Sequence, residues 1–346
     1  GNRLQMQWAA LVAAAIVATD PILLQYTTYS MTEVLAAFLT SLLLYLLVTS
    51  LSIECVPGKK QAIPPHFFWT GIVWGLAILC RPTYLAFFGI WTVIRFIGPF
   101  FQKLHIPKPT ITMKRERSPV TYLVTGLMLA VSPWVIRNLI VFHSPILSTT
   151  HGGYTLLLGN NPVFYEKVVQ KPWGTVWSGE SLNDWQQRLE KQISQKVPRL
   201  TTEQQRDQWM YQRAKHNIAE QPDLFVSACI LRFKRFWNTS PLTNSPLLSN
   251  PLIGWGISGY YSVILLGCFS GIILVVWNRE RNWGPLIWLI LSFTLVHLFY
   301  WTNMRMRAPL VPAIALLSVF GWSHFTRFFK FGNTTNHTPD NQRNTL

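Results

Sequence analysis

Four arginines and two acids stand where an apolar chain has least reason to keep charge. Among the 14 Asp and Glu residues, Asp20 and Glu33 stand out, one near the exit of the first apolar run and the other at the entry of the second. Arg81, Arg137, Arg305 and Arg307 each border such a run, Arg81 directly before Pro82 and Arg307 two residues before Pro309. A charge at membrane depth marks function by default. Arginine stays charged and grips phosphate oxygens bidentately. A neighbouring carboxylate can take a proton from a sugar or protein hydroxyl. Several arginines at one leaflet therefore suit a phosphate headgroup on a lipid. The plain alternative is anchoring, in which arginines snorkel to the interface and Glu33 favours a helix start.

Whether these residues meet depends on the elements that carry them. Hydrophobic residues make up 49% of the chain and charged residues 13%, against about 25% charged in a typical soluble domain. The 16 tryptophans fit aromatic belts at two membrane interfaces. A net charge of +16 in a soluble chain would point to nucleic acid. In a membrane chain it reads as basic loops near anionic lipid, and nucleic acid is not an expected partner. Apolar runs at 8–24, 34–53, 67–80, 84–101, 120–141, 255–277, 284–302 and 309–325 predict an all-α polytopic membrane protein with about eight spans. Arg81-Pro82 splits one apolar stretch into the third and fourth runs, because proline ends or kinks a helix. One long kinked helix with Arg81 buried is the alternative.

Charge assigns the sides. Lys59, Lys60, Lys103, Lys108, Lys114, Arg115, Arg117, Arg279, Arg281, Arg327 and Lys330 flank the runs on what the positive-inside rule makes the cytoplasmic face. The connections 25–33, 81–84 and 303–308 and the loop 142–254 then face outward, and Arg137 with them. The division is a membrane bundle at 1–141, an outer-face loop at 142–254, a second bundle part at 255–325 and a polar tail at 326–346. Within the loop, GGYTLLLGNNP carries turn residues able to present backbone donors to a ligand. Residues 201–221 read as an amphipathic helix with a Thr-x-x-Gln start, and 222–237 as an interfacial helix. No metal-ligand spacing, phosphate-binding glycine loop or Gly-x-Ser-x-Gly is present, so no metal site is assigned.

The ordered fragments TDPILLQYTTYSMTEVLAAFL, GLAILCRPTYLAF, SPWVIRNLIVFHSPILSTTHGGYTLLLGNNP and NMRMRAPLVPAIALL resemble the membrane-embedded GT-C glycosyltransferases. Among these the likeness is to bacterial relatives of the dolichyl-phosphate-mannose protein mannosyltransferases and of the lipid A aminoarabinose transferase. The resemblance implies a GT-C-like helical bundle with a largely helical outer loop, in the inner membrane of a bacterium, with its active site on the outer face. It implies inverting transfer of a sugar from a polyprenyl-phosphate carrier to a lipid, glycan or protein. Arg81, Arg137, Asn138, Arg305 and Arg307 would hold the carrier phosphate. Gly159, Asn160 and Asn161 would line the acceptor side or cleft wall. Glu33 would be an auxiliary acid, with Asp20 ranked below it. The family's principal aspartate lies between its first two spans, and the opening of this chain resembles the third span. Two spans and that aspartate are therefore expected upstream. The cofactor requirement stays open, a divalent metal included. A flippase for lipid-linked sugars and an O-antigen-type ligase using diphosphate carriers are the rival readings.

Overall fold

The computed structural model describes residues 2–54, 63–105, 118–195, 202–242 and 250–332, and all regular structure among them is helical. Helices α1 (Asn2–Ala18), α2 (Pro21–Thr27), α3 (Glu33–Glu54), α4 (Ile63–Cys80), α5 (Thr83–His105) and α6 (Ser118–Phe142) come first. The long loop carries α7 (Gly152–Gly159), α8 (Pro162–Phe164), a π turn at Tyr165–Val169, α9 (Glu180–Ser194), α10 (Glu203–Glu220) and α11 (Pro222–Phe236). The chain then returns as α12 (Pro251–Trp277), α13 (Gly284–Phe299), a 3-10 segment at Met304–Leu310 and α14 (Val311–Gly332). Lys59, Lys60, Lys108, Lys114, Arg115 and Arg117, and the tail beyond residue 332, lie outside the described residues.

Seven of the eight apolar runs fall largely on one helix each, and the run 8–24 is divided between α1 and α2. Among the described residues, four segments are long and apolar enough to cross a membrane: Glu33–Ser50, Val120–Phe142, Pro251–Trp277 and Met304–His324. A fifth crossing is available if α1 and α2 act together. Those two do not form the single straight span expected over 8–24, being bent by 52°. The cause is local. Pro21 lacks the amide that would continue the ladder, and the Asp20 side chain caps the new helix, accepting from the amides of Ile22 and Leu23 at 3.0 Å each. Pro65–Cys80, Thr83–Ile94 and Gly284–Phe299 are shorter apolar helices.

The break at Arg81-Pro82 is a fold-back rather than a kink. Trp74 on α4 donates to the Tyr84 carbonyl at 3.3 Å and stacks on Phe87 of α5 at 4.8 Å. Trp74 also meets the Trp91 ring at 5.5 Å, a contact that one continuous helix through residue 81 could not make. Around them, buried side chains of α3, α4, α5, α6, α12, α13 and α14 form one apolar core. Only 22% of the apolar α6 segment is buried, and Ile136, Leu139 and Ile140 face outward. A surface of that kind suits hydrocarbon, where helix contacts come from close packing of small residues rather than from the hydrophobic effect. Gly71, Gly75 and Gly126 provide it between α4 and α6. A Cβ on Gly75 would lie 2.7 Å from Ala130 Cβ, and one on Gly71 would lie 2.9 Å from the Leu127 amide.

The helices of the long loop have their own core, in which Leu156, Leu157, Phe164, Tyr165, Trp177, Trp185 and Met210 are buried. Two expectations for it hold in detail: Thr202 and Gln205 form a reciprocal capping box on α10, and α11 starts at Pro222. One does not. GGYTLLLG is a helix and not a donor-presenting turn. The Gly153 amide is engaged by Asp207 Oδ1 at 2.6 Å, and glycine allows α7 to lie against α10, where a Cβ on Gly153 would sit 2.9 Å from that oxygen. Burial raises the Asp207 carboxyl above 3.8, while the Gly153 and Tyr154 amides pull it down. On α11 the pattern is inverted relative to a soluble helix. Val226, Ile230 and Phe233 face out, whereas Ala228, Arg232, Arg235 and Phe236 are buried.

The glycine seam yields a stability test. Gly126→Val should cost about 1–3 kcal/mol by overpacking α4 against α6 and lower the unfolding midpoint in detergent. Gly89→Ala, where an added Cβ meets nothing within 4 Å, should leave the midpoint unchanged or slightly raised.

Candidate functional site

The start of α3, the α4–α5 turn and the 3-10 segment before α14 converge on Glu33. The α3 helix begins at this acid, whose charge favours the positive end of the helix dipole. Its side chain is fully buried. Arg81 Nη2 donates to Glu33 Oε1 at 2.8 Å, and Arg305 Nε donates to the same oxygen. Arg81 Nη1 reaches Met306 Sδ at 3.8 Å, and the Arg305 guanidinium lies 4.9 Å over the Tyr26 ring of α2. Two positive charges meet one negative charge, so the corner carries a net positive charge. Exposure is graded: the Arg81 side chain is 12% accessible and that of Arg305 is 30%. Glu33 Oε2 and Arg81 Nε are buried and have no protein partner. Each is a bonding position that water or a ligand could complete.

The remaining expected residues are placed elsewhere. Asp20 is buried as the cap of α2 and also accepts from the Tyr261 hydroxyl at 3.1 Å. Arg307 is buried two residues beyond Arg305 but turned inward. It donates to the Phe236 and Asn238 carbonyls at 3.1 and 3.0 Å and stacks on Tyr261 at 4.6 Å. Arg137 stays with its own helix end, donating to Asn138 Oδ1 at 3.0 Å with Trp134 and Phe142 each 5.4 Å away. Asn138 in turn donates to the Ile146 carbonyl at 2.8 Å, and Trp134 to the Ser148 carbonyl at 3.2 Å. These bonds pin the turn that leaves α6.

Gly159, Asn160 and Asn161 are frame rather than exposed wall. Asn160 donates to the Leu156 and Phe299 carbonyls at 2.7 and 2.8 Å, and Asn161 caps α8 by accepting from Phe164 at 2.8 Å. Arg232 completes this knot, and nothing in the sequence reading singled it out. It is buried and donates to the Leu298 carbonyl at 2.5 Å, to Asn160 Oδ1 at 2.8 Å and to the Gly159 carbonyl. Burial pulls its guanidinium down to about 10, still high enough to keep the charge. Its spacing, four residues after Ala228 and four before Phe236, was the available signal. Tyr261 and Tyr26 carried no signal beyond aromatic composition. Among the described residues no group of three His, Cys, Asp or Glu side chains gathers as metal ligands.

The geometry gives a direct test of the corner. Removing the shared carboxylate by Glu33→Gln leaves two guanidiniums facing each other without their counter-charge. Loss of one member of a buried charge set costs about 3–5 kcal/mol, so the detergent-solubilised variant should show a lowered unfolding midpoint. Glu33→Gln combined with Arg81→Met should recover part of that loss. An unchanged midpoint in the single variant contradicts the observed pairing. No family model, curated protein or solved structure matches this chain.

Proposed function

We propose that this chain is a membrane-embedded glycosyltransferase of eight spans. It moves a sugar from a polyprenyl-monophosphate carrier to an acceptor hydroxyl at the face where Glu33, Arg81 and Arg305 meet. The proposed setting is a bacterial plasma membrane, with this face outward. The observation that carries the reading is the buried Glu33 oxygen bound by two arginines of graded exposure. Glu33 Oε1 is committed to both guanidiniums, which makes Glu33 a positioning residue. Arg305 meets Glu33 through Nε, so its two terminal nitrogens lie outside that pair.

In the proposed reaction the acceptor oxygen attacks the anomeric carbon as the bond from that carbon to the phosphate oxygen breaks. The electron pair leaves with the phosphate, and the acceptor's proton passes to a base. Arg81 and Arg305 neutralise the charge that develops on the departing phosphate. The base is unassigned. Arg307 and Arg232 hold the 3-10 segment and the helices of the long loop in place, and so act on the site through structure.

Purified protein in detergent, given polyprenyl-monophosphate-linked sugars and mixed acceptors, should release polyprenyl phosphate and form a glycoside of inverted configuration. Arg305→Ala should lower the rate by about 10²-fold or more, whereas Arg137→Ala, outside the Glu33 corner, should lower it less. Detergent removes compartments. A protein that carries lipid-linked sugar across vesicles yet transfers none in detergent would overturn the proposal in favour of transport. Preference for diphosphate carriers would overturn it in favour of a ligase.

A further inference from the structure

The long loop holds a second concavity, well separated in sequence from the Glu33 corner. It is an open groove of about 410 Å³ between α7, α9 and α10, within the range of small-molecule sites. Its floor is apolar, made by Leu189, Ile193 and Met210, all buried. Its rim is aromatic on one side, where the His151 and Tyr154 rings lie 4.7 Å apart. The rest of the rim alternates donors and acceptors. Gln186 Nε2 donates to the Tyr154 hydroxyl at 2.8 Å, Thr150 donates to Glu203 at 3.2 Å, and Arg206 faces Glu190 at 3.9 Å.

The chemistry of the rim selects the ligand class. Two carboxylates against one guanidinium disfavour an anion. The walls are helices whose own amides and carbonyls are used internally, so no strand edge is offered to an extended peptide. An aromatic face beside closely spaced carboxylate, amide, hydroxyl and guanidinium groups matches a molecule that has C–H bonds on one face and adjacent hydroxyls at its edge. Each such hydroxyl both donates and accepts. We propose that this groove is a binding site for a neutral carbohydrate, with the ring stacked on Tyr154 and its hydroxyls read by Gln186, Glu190 and Glu203. The site stands whether or not the Glu33 corner transfers sugars.

Saturation-transfer NMR on the full chain in detergent tests it, with methyl glycosides of glucose, galactose, mannose and N-acetylglucosamine as probes. At least one glycoside should receive magnetisation, strongest on the C–H face of its ring. Tyr154→Ala should weaken that binding by about tenfold, the scale of one aromatic contact, while Tyr154→Phe should keep the stacking. Gln186→Ala, at an exposed position, should also weaken it and decides the matter if Tyr154→Ala fails to fold. Gly89→Ala, away from both the groove and the Glu33 corner, should bind as the unaltered chain does. Absence of transfer to all four glycosides overturns the proposal, as does binding unchanged by Tyr154→Ala and Gln186→Ala. Binding that polyprenyl monophosphate displaces places the ligand at the Glu33 corner and overturns it as well. Failure of sugar transfer in detergent would overturn the transferase reading and leave this result standing.

Discussion

One buried carboxylate ties the apolar helices of this protein together at one end. Glu33 is fully enclosed, and its Oε1 is shared by arginines 48 and 272 residues away along the chain. Neither arginine can leave without uncovering a charge in a poorly solvated place, and neither can Glu33. Three chain segments must therefore end at the same level: the start of α3, the turn between α4 and α5, and the segment leading into α14. That requirement fixes the direction of each helix. The Arg81-Pro82 fold-back leaves Arg81 at that level, because Pro82 ends α4 directly after it.

The arginines divide into two kinds by what they touch. Arg232 and Arg307 point inward and donate to backbone carbonyls at helix ends, Leu298 and Gly159 for the first, Phe236 and Asn238 for the second. Those carbonyls have no partner within their own helices, so a guanidinium fork serves as an internal cap for several at once. The result fastens the helices of the long loop to α13 and to the 3-10 segment. Arg81 and Arg305 differ in being paired with a carboxylate and partly open to the surroundings. Position beside an apolar run does not separate the two kinds; burial and partner do. In the proposed mechanism this division assigns substrate contact to one pair and rigidity to the other.

Much of this was legible in the sequence. The eight apolar runs lie on helices, the charge break at Arg81 marks a hairpin, and Thr202 and Gln205 announce a helix start. Glu33, Arg81 and Arg305 could be grouped because parity put them on one face. The misses share one cause. Asp20 and Arg307 were grouped with Glu33 because a sequence shows charge without showing its partners: a cap in one case, two carbonyls and a tyrosine ring in the other. Gly152-Gly153 read as a turn because glycine's freedom was visible, whereas the close approach of α10, which uses the missing Cβ, was not. Arg232 passed unnoticed because a basic residue on a mixed helix looks solvated until the opposite, apolar stripe is seen to face outward.

The central claim is that Arg81 and Arg305, braced by Glu33, form a receptive site for a lipid-borne phosphate. The most direct measurement is the phosphorus NMR resonance of polyprenyl monophosphate in detergent as the full chain is added. The account predicts a saturable shift that is lost in Arg81→Ala with Arg305→Ala and retained in Arg137→Ala. A resonance that does not move, or that moves equally with the double variant, would contradict it.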